Sequence, residues 1–239
     1  PAIADVVTAD GGANPALLHM TNDYGAGLAD SIEDAWGADD LCTKIGYEDT
    51  TTDFSSQVTA IVDAGCDSII LVSYATDGAA IVEELSTAGF TGQIFGGDGI
   101  AEEGLCTLLS DINLCDGIVA TKPAAPEPNE RSVVFGQLCG AVSDCAAGIY
   151  TAEAFDALAI IGFAIFAHLS GGGVGDLGTF IQATGQGFVG ASGIHTFLDN
   201  GDVGGAGYCI GDFTVTDGVA AFTCNRHWSA IDGITTTTN

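Results

Sequence analysis

The sequence predicts an α/β fold, a doubly wound parallel sheet with helices on both faces and a C-terminal β-hairpin. Three observations predict it. Short apolar runs alternate with amphipathic stretches through the first two thirds of the chain. The run Ser68–Ser73 has the apolar interior of a strand that is buried on both faces of a parallel sheet. The segments that connect these runs are only a few residues long, as in βα units.

The elements of this sheet follow from the period of the apolar residues. The predicted strands are Ala16–Met20, Cys42–Glu48, Ser68–Ser73, Gln93–Gly96 and Gly117–Thr121. The predicted helices are Leu28–Trp36, a segment opened by Asp53–Gln57, Asp77–Ala88 and Glu102–Ser110. Asp53 suits a helix N-cap, and Gly89 suits a helix end.

The character of the chain changes after the proline-rich connector Ala124–Asn129. Beyond it we predict helices at Ser132–Leu138, Ile149–Leu169 and around Thr179–Ala183, and strands at Gly193–Phe197, Tyr208–Val215 and Val219–Cys224. A hairpin turn at Thr216–Gly218 joins the last two strands. The helix Ile149–Leu169 carries almost no charge, so it requires apolar cover on most sides. The tail Thr235–Thr238 is expected to be a linker or a frayed end.

Composition limits the classes of function. The chain has 239 residues, 47% of them hydrophobic and 15% charged, which suits one large globular domain or two small ones. Its net charge is −28, because the sequence has only 4 Lys and Arg residues but 32 Asp and Glu residues. Nucleic acid and anionic membrane surfaces are therefore not expected as partners. The longest apolar run, Ala157–Leu169, is interrupted by Gly162 and is too short to span a bilayer.

The net charge arises from a shortage of basic residues, since the acidic residues are near ordinary usage. That pattern fits salty or otherwise harsh water outside the cell, where counterions screen self-repulsion. Halophily stays an open alternative. Because the sequence begins at Pro1 without a Met or a signal peptide, we expect processing or truncation to have removed an upstream segment.

The eight cysteines predict disulfides and an oxidising compartment. They lie at Cys42, Cys66, Cys106, Cys115, Cys139, Cys145, Cys209 and Cys224. Three close pairs are evident, 106/115, 139/145 and 209/224, and the pair 42/66 follows by elimination. None of the eight has the CxxC spacing of a zinc site.

Candidate ligand contacts lie at the carboxyl ends of the predicted strands, where open α/β sheets bind their ligands. Tyr24 follows the first strand, Tyr74 the third and Asp98 the fourth. Each has a simpler alternative, since the tyrosines could pack on their helices and Asp98 could cap the next one, as Asp77 is expected to do. The four histidines are scattered and no nucleophile motif occurs, so we expect no metal, no cofactor and no enzymatic activity.

Several motifs in register carry a resemblance to a known family. They are NDYGAGLADSIEDAW, TTDFSSQVTAIVDAGCDSIILVSYATDGAAIVEELSTAGF, GQIFGGDGIA, YTAEAFDALAIIGFAI and GIHTFLDNGD. From Ala16 to about Phe222 the chain resembles the type I periplasmic solute-binding proteins of the branched-chain amino-acid class. The resemblance implies a two-lobed receptor that closes on a small ligand by hinge motion and presents it to the membrane permease of an ABC transporter. It also implies that Tyr24, Tyr74 and Asp98 contact the ligand.

The resemblance divides the chain into ligand-binding lobe 2 (1–146), crossover helices that belong to lobe 1 (147–190), return strands with a hairpin (191–225) and a tail (226–239). Most of lobe 1 has no counterpart in the sequence, so the apolar face of Ile149–Leu169 would lack its sheet. Either the chain is a fragment of a longer protein, which we favour, or another copy or partner covers that surface.

Two hypotheses for the function follow. The first is an extracytoplasmic substrate-binding protein of an ABC-type uptake system, which binds an amino acid or a similar small polar solute between two lobes. The second is a cell-surface structural or filament-forming subunit that reuses the same scaffold and self-associates through Ile149–Leu169. A sensor domain of a receptor or regulator is a further alternative, because the scaffold is shared.

Overall fold

A computed structural model of the chain describes residues 1–37, 40–124, 129–143, 145, 150–199, 201, 203, 207–229 and 231–236. The chain forms two compact units. Unit 1 comprises Pro1–Pro123 together with Gly207–Asn239, and unit 2 comprises Ala124–Ala206. Unit 1 contains the predicted sheet.

Unit 1 is a mixed sheet with helices on both faces. Its strands are β1 (Pro15–Met20), β2 (Thr43–Tyr47), β3 (Ser68–Val72), β4 (Gln93–Gly96), β5 (Val119–Pro123), β8 (Tyr208–Thr216), β9 (Val219–Ser229) and β10 (Gly233–Thr236). Its helices are α1 (Ala2–Ala9), α2 (Asp23–Trp36), α3 (Ser55–Ala64), α4 (Ala75–Thr87) and α5 (Gly104–Leu108), with short 3₁₀ turns at Asp98–Ile100 and Ile112–Cys115. The predicted fold class is confirmed.

The strand order places a topological switch point at the centre of the parallel part. The order is β10-β9-β8-β5-β4-β3-β1-β2, and β2, β1, β3, β4 and β5 run parallel. β1 therefore pairs with both β2 and β3, and the chain winds away from it in two directions. In doubly wound sheets the crevice outside the carboxyl ends of the strands at such a switch is where ligands bind.

Alternating side chains of the central strands supply two hydrophobic clusters, one on each face of the sheet. Leu18 and Leu71 pack with α3, α4 and α5 on one face. Leu17 and Ile70 pack with α1 and α2 on the other. All four are fully buried, and burying each contributes about 1.5–3 kcal/mol. This explains why the strands read as continuous apolar runs rather than as alternating patterns.

The C-terminal strands extend the sheet in the antiparallel sense. β8 pairs with β5 and β9, and the turn between β8 and β9 has positive φ at Asp217 (52°) and Gly218 (77°). Two positive φ values in a two-residue loop define the type I′ hairpin turn, for which Asp-Gly is a preferred sequence. The predicted hairpin is thus confirmed.

The prediction of a tail over 226–239 is wrong for residues 226–229 and 233–236. Residues 226–229 complete β9, and β10 pairs antiparallel with them. Side-chain contacts within unit 1 hold the end of β9 in the sheet. The Arg226 guanidinium forms ion pairs with Asp10 at 2.6 Å and with Asp212 at 3.3 Å. The Trp228 indole N–H also donates to the Asp5 carboxylate at 2.6 Å.

Four disulfides join the cysteines in the predicted pairs. Cys42–Cys66, Cys106–Cys115 and Cys209–Cys224 lie in unit 1, and Cys139–Cys145 lies in unit 2. No described cysteine is a free thiol.

Unit 2 is helical. It contains α6 (Glu130–Cys139), α7 (Thr151–Ser170), α8 (Leu177–Gly185) and the short antiparallel pair β6 (Phe188–Val189) and β7 (Ile194–His195). Aromatic contacts hold these elements together, with ring centroids 5.3 Å apart for Phe135 and Phe155 and 6.3 Å apart for Phe163 and Phe188. The 20 residues of α7 correct the expectation that no segment could span a bilayer, because this helix is long and apolar enough by length and composition alone. Ile149, the predicted start of that helix, lies outside the described residues.

Candidate functional site

The structure brings Tyr24, Tyr74 and Asp98 together at the carboxyl ends of the parallel strands. Tyr24 lies in the first turn of α2 after β1, Tyr74 precedes α4 after β3, and Asp98 follows β4. The rings of Tyr24 and Tyr74 stack, with centroids 5.2 Å apart and planes 16° from parallel. The Tyr24 hydroxyl donates a hydrogen bond to Asp98 Oδ1 at 2.9 Å. The three residues therefore form one cluster, which we call the rim.

The start of α2 fixes the position of Tyr24. The Asn22 side chain caps the helix by accepting a hydrogen bond from the Gly25 N–H at 2.8 Å. A Cβ atom at Gly25 would lie 2.1 Å from the Met20 carbonyl oxygen, so only glycine allows the helix to begin this close to the strand. The sequence Tyr24-Gly25 is therefore a packing requirement that places the tyrosine ring at the strand end.

A second close approach brings the loop after β4 against Tyr24. The Gly99 N–H donates to the Tyr24 hydroxyl oxygen at 3.3 Å. A Cβ atom at Gly99 would lie 2.4 Å from the Ser73 carbonyl oxygen, at the end of β3. Glycine at this position thus allows the loop that carries Asp98 to reach the neighbouring strand.

The electrostatics of the rim favour a neutral phenol beside a charged carboxylate. Burial raises the pKa of the Tyr24 hydroxyl, and the negative charge and hydrogen bond of Asp98 raise it further. The phenol thus stays protonated, and its O–H group donates a hydrogen bond to the Asp98 carboxylate. Tyr74 is 47% exposed, so the outer face of the stack is open to solvent.

A second tyrosine–aspartate pair, which was not predicted from the sequence, lies beside this cluster. Tyr47, the last residue of β2, is 3% exposed, and its hydroxyl donates to the Asp77 carboxylate in α4. Asp77 also accepts from the backbone N–H of Tyr74 at 3.1 Å, as its expected role at the helix start requires. The strand-end rule that identified the other residues applies equally to Tyr47, and that signal could have found it.

The rim can hold a small ligand by three kinds of contact. The Tyr24–Tyr74 stack offers a flat aromatic face, the phenol groups offer polar hydrogen atoms and oxygens, and Asp98 offers a negative charge. A ligand cation over such a ring gains about 0.5–2 kcal/mol. A recess of about 790 Å³, lined by residues that include Asn14 and Asp40, lies at the opposite, amino ends of the strands.

Unit 2 contains a cluster of the buried residues Asp156 and Ser192 with the partly buried His195. The Ser192 hydroxyl donates to Asp156 Oδ2 at 2.6 Å, and His195 Nε2 lies 3.0 Å from the same oxygen and 3.1 Å from the Ser192 hydroxyl. One imidazole nitrogen faces both partners, whereas a catalytic triad needs the two ring nitrogens to face the acid and the nucleophile separately. The cluster is therefore structural. In the described part of the chain, no three His, Cys, Asp or Glu side chains are grouped as metal ligands.

Comparison with known proteins gives a family match over more than half of the chain. The model of the family described as "Periplasmic binding protein" matches residues 1–134. A protein of Brucella melitensis named Leu/Ile/Val-binding protein homolog 3 is 30% identical over 89 residues, which are 36% of this chain and 24% of the relative.

Solved structures show the same fold. A leucine binding protein from Thermotoga maritima superimposes with a TM-score of 0.70 at 20% identity, over 92% of this chain and 64% of that one. A solute-binding protein of an ABC transporter from R. palustris, solved in complex with 4-hydroxybenzoate, gives a TM-score of 0.70 at 17% identity, over 92% of this chain and 61% of that one. The chain thus spans less than two thirds of the length of these relatives.

Proposed function

We propose, since the chain belongs to the periplasmic binding protein family, that it is part of a solute-binding protein that delivers a small polar ligand to an ABC-type uptake system. The family consists of binding proteins, so we assign no reaction to the chain. Family membership implies an extracytoplasmic location, and the disulfides agree with it because they persist in oxidising compartments. The partner would be a membrane permease.

The observation that carries this proposal is the rim, where Asp98, Tyr24 and Tyr74 converge at the switch point of the sheet. We assign the ligand's positively charged group to Asp98 and its apolar part to the stacked rings. The ligand is then an amino acid or a similar ammonium-bearing solute. A second lobe would supply the groups that bind the ligand carboxylate, and unit 1 would act as one lobe of a receptor that closes around the ligand.

The ligands named for the relatives differ in charge. The relatives in Brucella and Thermotoga are named for leucine and related amino acids, and a relative in R. palustris holds 4-hydroxybenzoate. An aromatic anion in the same position would bring its carboxylate near the negative charge of Asp98. The rim of this chain therefore favours the zwitterionic class.

The test is titration calorimetry with a panel of amino acids and with benzoate and 4-hydroxybenzoate. We expect an amino acid to bind and the variant Asp98→Asn to weaken its affinity by roughly 10- to 100-fold, the value of a charge-assisted hydrogen bond. Asp63→Asn removes the same charge from an exposed position on α3 and should change nothing. Unchanged affinity in Asp98→Asn would remove the role assigned to that carboxylate.

A second candidate function is a cell-surface subunit that assembles with copies of itself. The observation that favours it is the exposed apolar surface of α7, where Leu158, Phe166 and Leu169 are 71%, 72% and 66% exposed. The sequence contains no Asp, Glu, Lys or Arg between Asp156 and Asp176. Two copies could therefore pack through this face without bringing their acidic groups together, although the net charge of −28 opposes association elsewhere.

Sedimentation velocity over a range of protein concentrations tests this self-association. We expect a dimer or larger species that Phe166→Glu converts to monomer, because a glutamate in the apolar contact cannot be paired there. The control Val219→Glu places the same charge at an exposed position of the β8–β9 hairpin. A monomer at every concentration, or binding to neutral lipid vesicles without self-association, would contradict the second function.

A further inference from the structure

We propose that Asp77 and Tyr47 are positioning residues of the ligand site, which hold the Tyr74 ring in the stack against Tyr24. The inference rests on the proposed function for its consequence in binding, but not for its structural part. Neither residue needs to touch the ligand. Their role follows from a chain of contacts that begins in the core and ends at the exposed ring.

The chain of contacts begins at the buried ring of Tyr47. This ring packs edge-on against Phe54, with centroids 5.1 Å apart and planes at 88°. Phe54 is itself 2% exposed and belongs to the hydrophobic cluster under α3 and α4. The Tyr47 hydroxyl is therefore held at a fixed place at the end of β2, with little freedom to rotate.

The Tyr47 hydroxyl fixes the carboxylate of Asp77. Burial raises the pKa of this phenol, and its hydrogen bond and proximity to Asp77 raise it further, so the proton stays available for donation. The same carboxylate accepts the backbone N–H of Tyr74 at 3.1 Å. Asp77 thus connects the end of β2 with the end of β3, across β1, which lies between them in the sheet.

A helix cap alone does not require this arrangement. An aspartate at this position of a helix can accept the N–H of the capping residue without any further partner. Here a phenol that is 3% exposed supplies the second contact, so the carboxylate has one orientation and the backbone at Tyr74 follows it. Because Tyr74 is 47% exposed, few contacts of its own side chain would otherwise hold the ring parallel to Tyr24.

The first experiment needs no ligand. The chain is labelled with 3-fluorotyrosine, and the ¹⁹F resonance of Tyr74 is assigned with Tyr74→Phe. Tyr24→Phe keeps the stacked ring and Tyr24→Ala removes it, so the pair calibrates the shift that stacking causes. We expect Tyr47→Phe and Asp77→Ala to move the Tyr74 resonance towards its position in Tyr24→Ala. The controls Tyr208→Phe and Glu84→Ala remove a hydroxyl and a carboxylate outside the rim and should leave it in place.

The second experiment measures affinity for the amino acid that the calorimetric panel identifies. Loss of a preorganised ring should weaken binding by roughly three- to tenfold, the cost of immobilising one side chain on binding. Tyr47→Phe keeps the aromatic ring that packs on Phe54, so its thermal midpoint verifies that the variant folds. If the wild-type chain binds nothing in the panel, the proposed function fails while the resonance still decides the positioning role. An unmoved Tyr74 resonance in both variants would overturn the inference.

Discussion

Asp156 shows how one buried acidic residue can hold a segment of chain in place. Its side chain is 2% exposed, and it accepts hydrogen bonds from the backbone N–H groups of Ala191 and Ser192, both at 2.7 Å, and from the Ser192 hydroxyl at 2.6 Å. Burial by itself would raise the pKa of this carboxyl. The hydrogen bonds from Ser192 and Ala191, together with His195, outweigh burial and lower the pKa.

This lowered pKa gives a prediction about acid stability. A carboxylate whose pKa is lower in the folded than in the unfolded chain stabilises the fold above its unfolded value, about 3.9, and that stabilisation is lost as the pH falls through the folded value. The thermal midpoint of the chain should therefore drop as the pH is lowered below about 4. Asp156→Asn should lower the free energy of unfolding by about 2 kcal/mol or more, and with it the thermal midpoint, already at neutral pH. In this variant the thermal midpoint should also depend less on pH below about 4.

Circular dichroism melting curves measured from about pH 7 to about pH 3 check this prediction. Asp199→Asn, which changes an exposed carboxylate in the same unit, should behave like the wild type. A steep acid transition that persists in Asp156→Asn would show that other carboxyl groups control it.

The sequence predicts which residues form the rim, but not the contacts between them. Tyr24, Tyr74 and Asp98 each follow an apolar run, and the rule for strand ends together with the resemblance to the family singled them out. Their mutual contacts could not be predicted, because the Tyr24–Asp98 hydrogen bond joins residues that are 74 positions apart. The contact between Tyr47 and Asp77 depends in the same way on the order of the strands, which no local pattern specifies.

At the scale of elements, the sequence predicts the buried central strands well, but it does not predict the first helix, α1, or the last strand, β10. β3 is buried at all five positions, and the uninterrupted apolar run Ile69–Val72 marks it in the sequence. α1 was not predicted, although Val6 and Val7 are fully buried, because only eight residues and no capping side chain mark it. The sequence predicts a tail in place of β10 because its threonines and glycine carry no apolar pattern, and the strand is defined by its pairing with β9.

At the scale of the whole molecule, the net charge of −28 makes repulsion between acidic groups the main electrostatic effect on stability. Within the described residues, the basic side chains Lys44 and Arg226 form ion pairs with acidic neighbours. Most of the acidic groups therefore repel one another in the folded chain and are held closer together there than in the unfolded one. Such repulsion lowers the stability of a compact state, and salt reduces it because the screening length shortens from about 10 Å at 0.1 M to about 3 Å at 1 M.

We accordingly expect the thermal midpoint to rise by several degrees between about 0.1 M and about 1 M sodium chloride. Calorimetric melting in sodium chloride, compared with sucrose at equal osmolality, separates screening from the general stabilisation that excluded solutes cause. An equal rise in sucrose, or no rise in salt, would mean that charge repulsion does not limit the stability of this chain.

The four disulfides have a consequence for how the chain matures. Along the sequence the eight cysteines are joined as four consecutive pairs that do not overlap, with separations of 24, 9, 6 and 15 residues. A polypeptide that enters an oxidising compartment from its amino end exposes both partners of one bridge before the first partner of the next has arrived. Joining neighbours in order of arrival therefore produces the native pattern without reshuffling by thiol–disulfide exchange, and assembly need not wait for an isomerase.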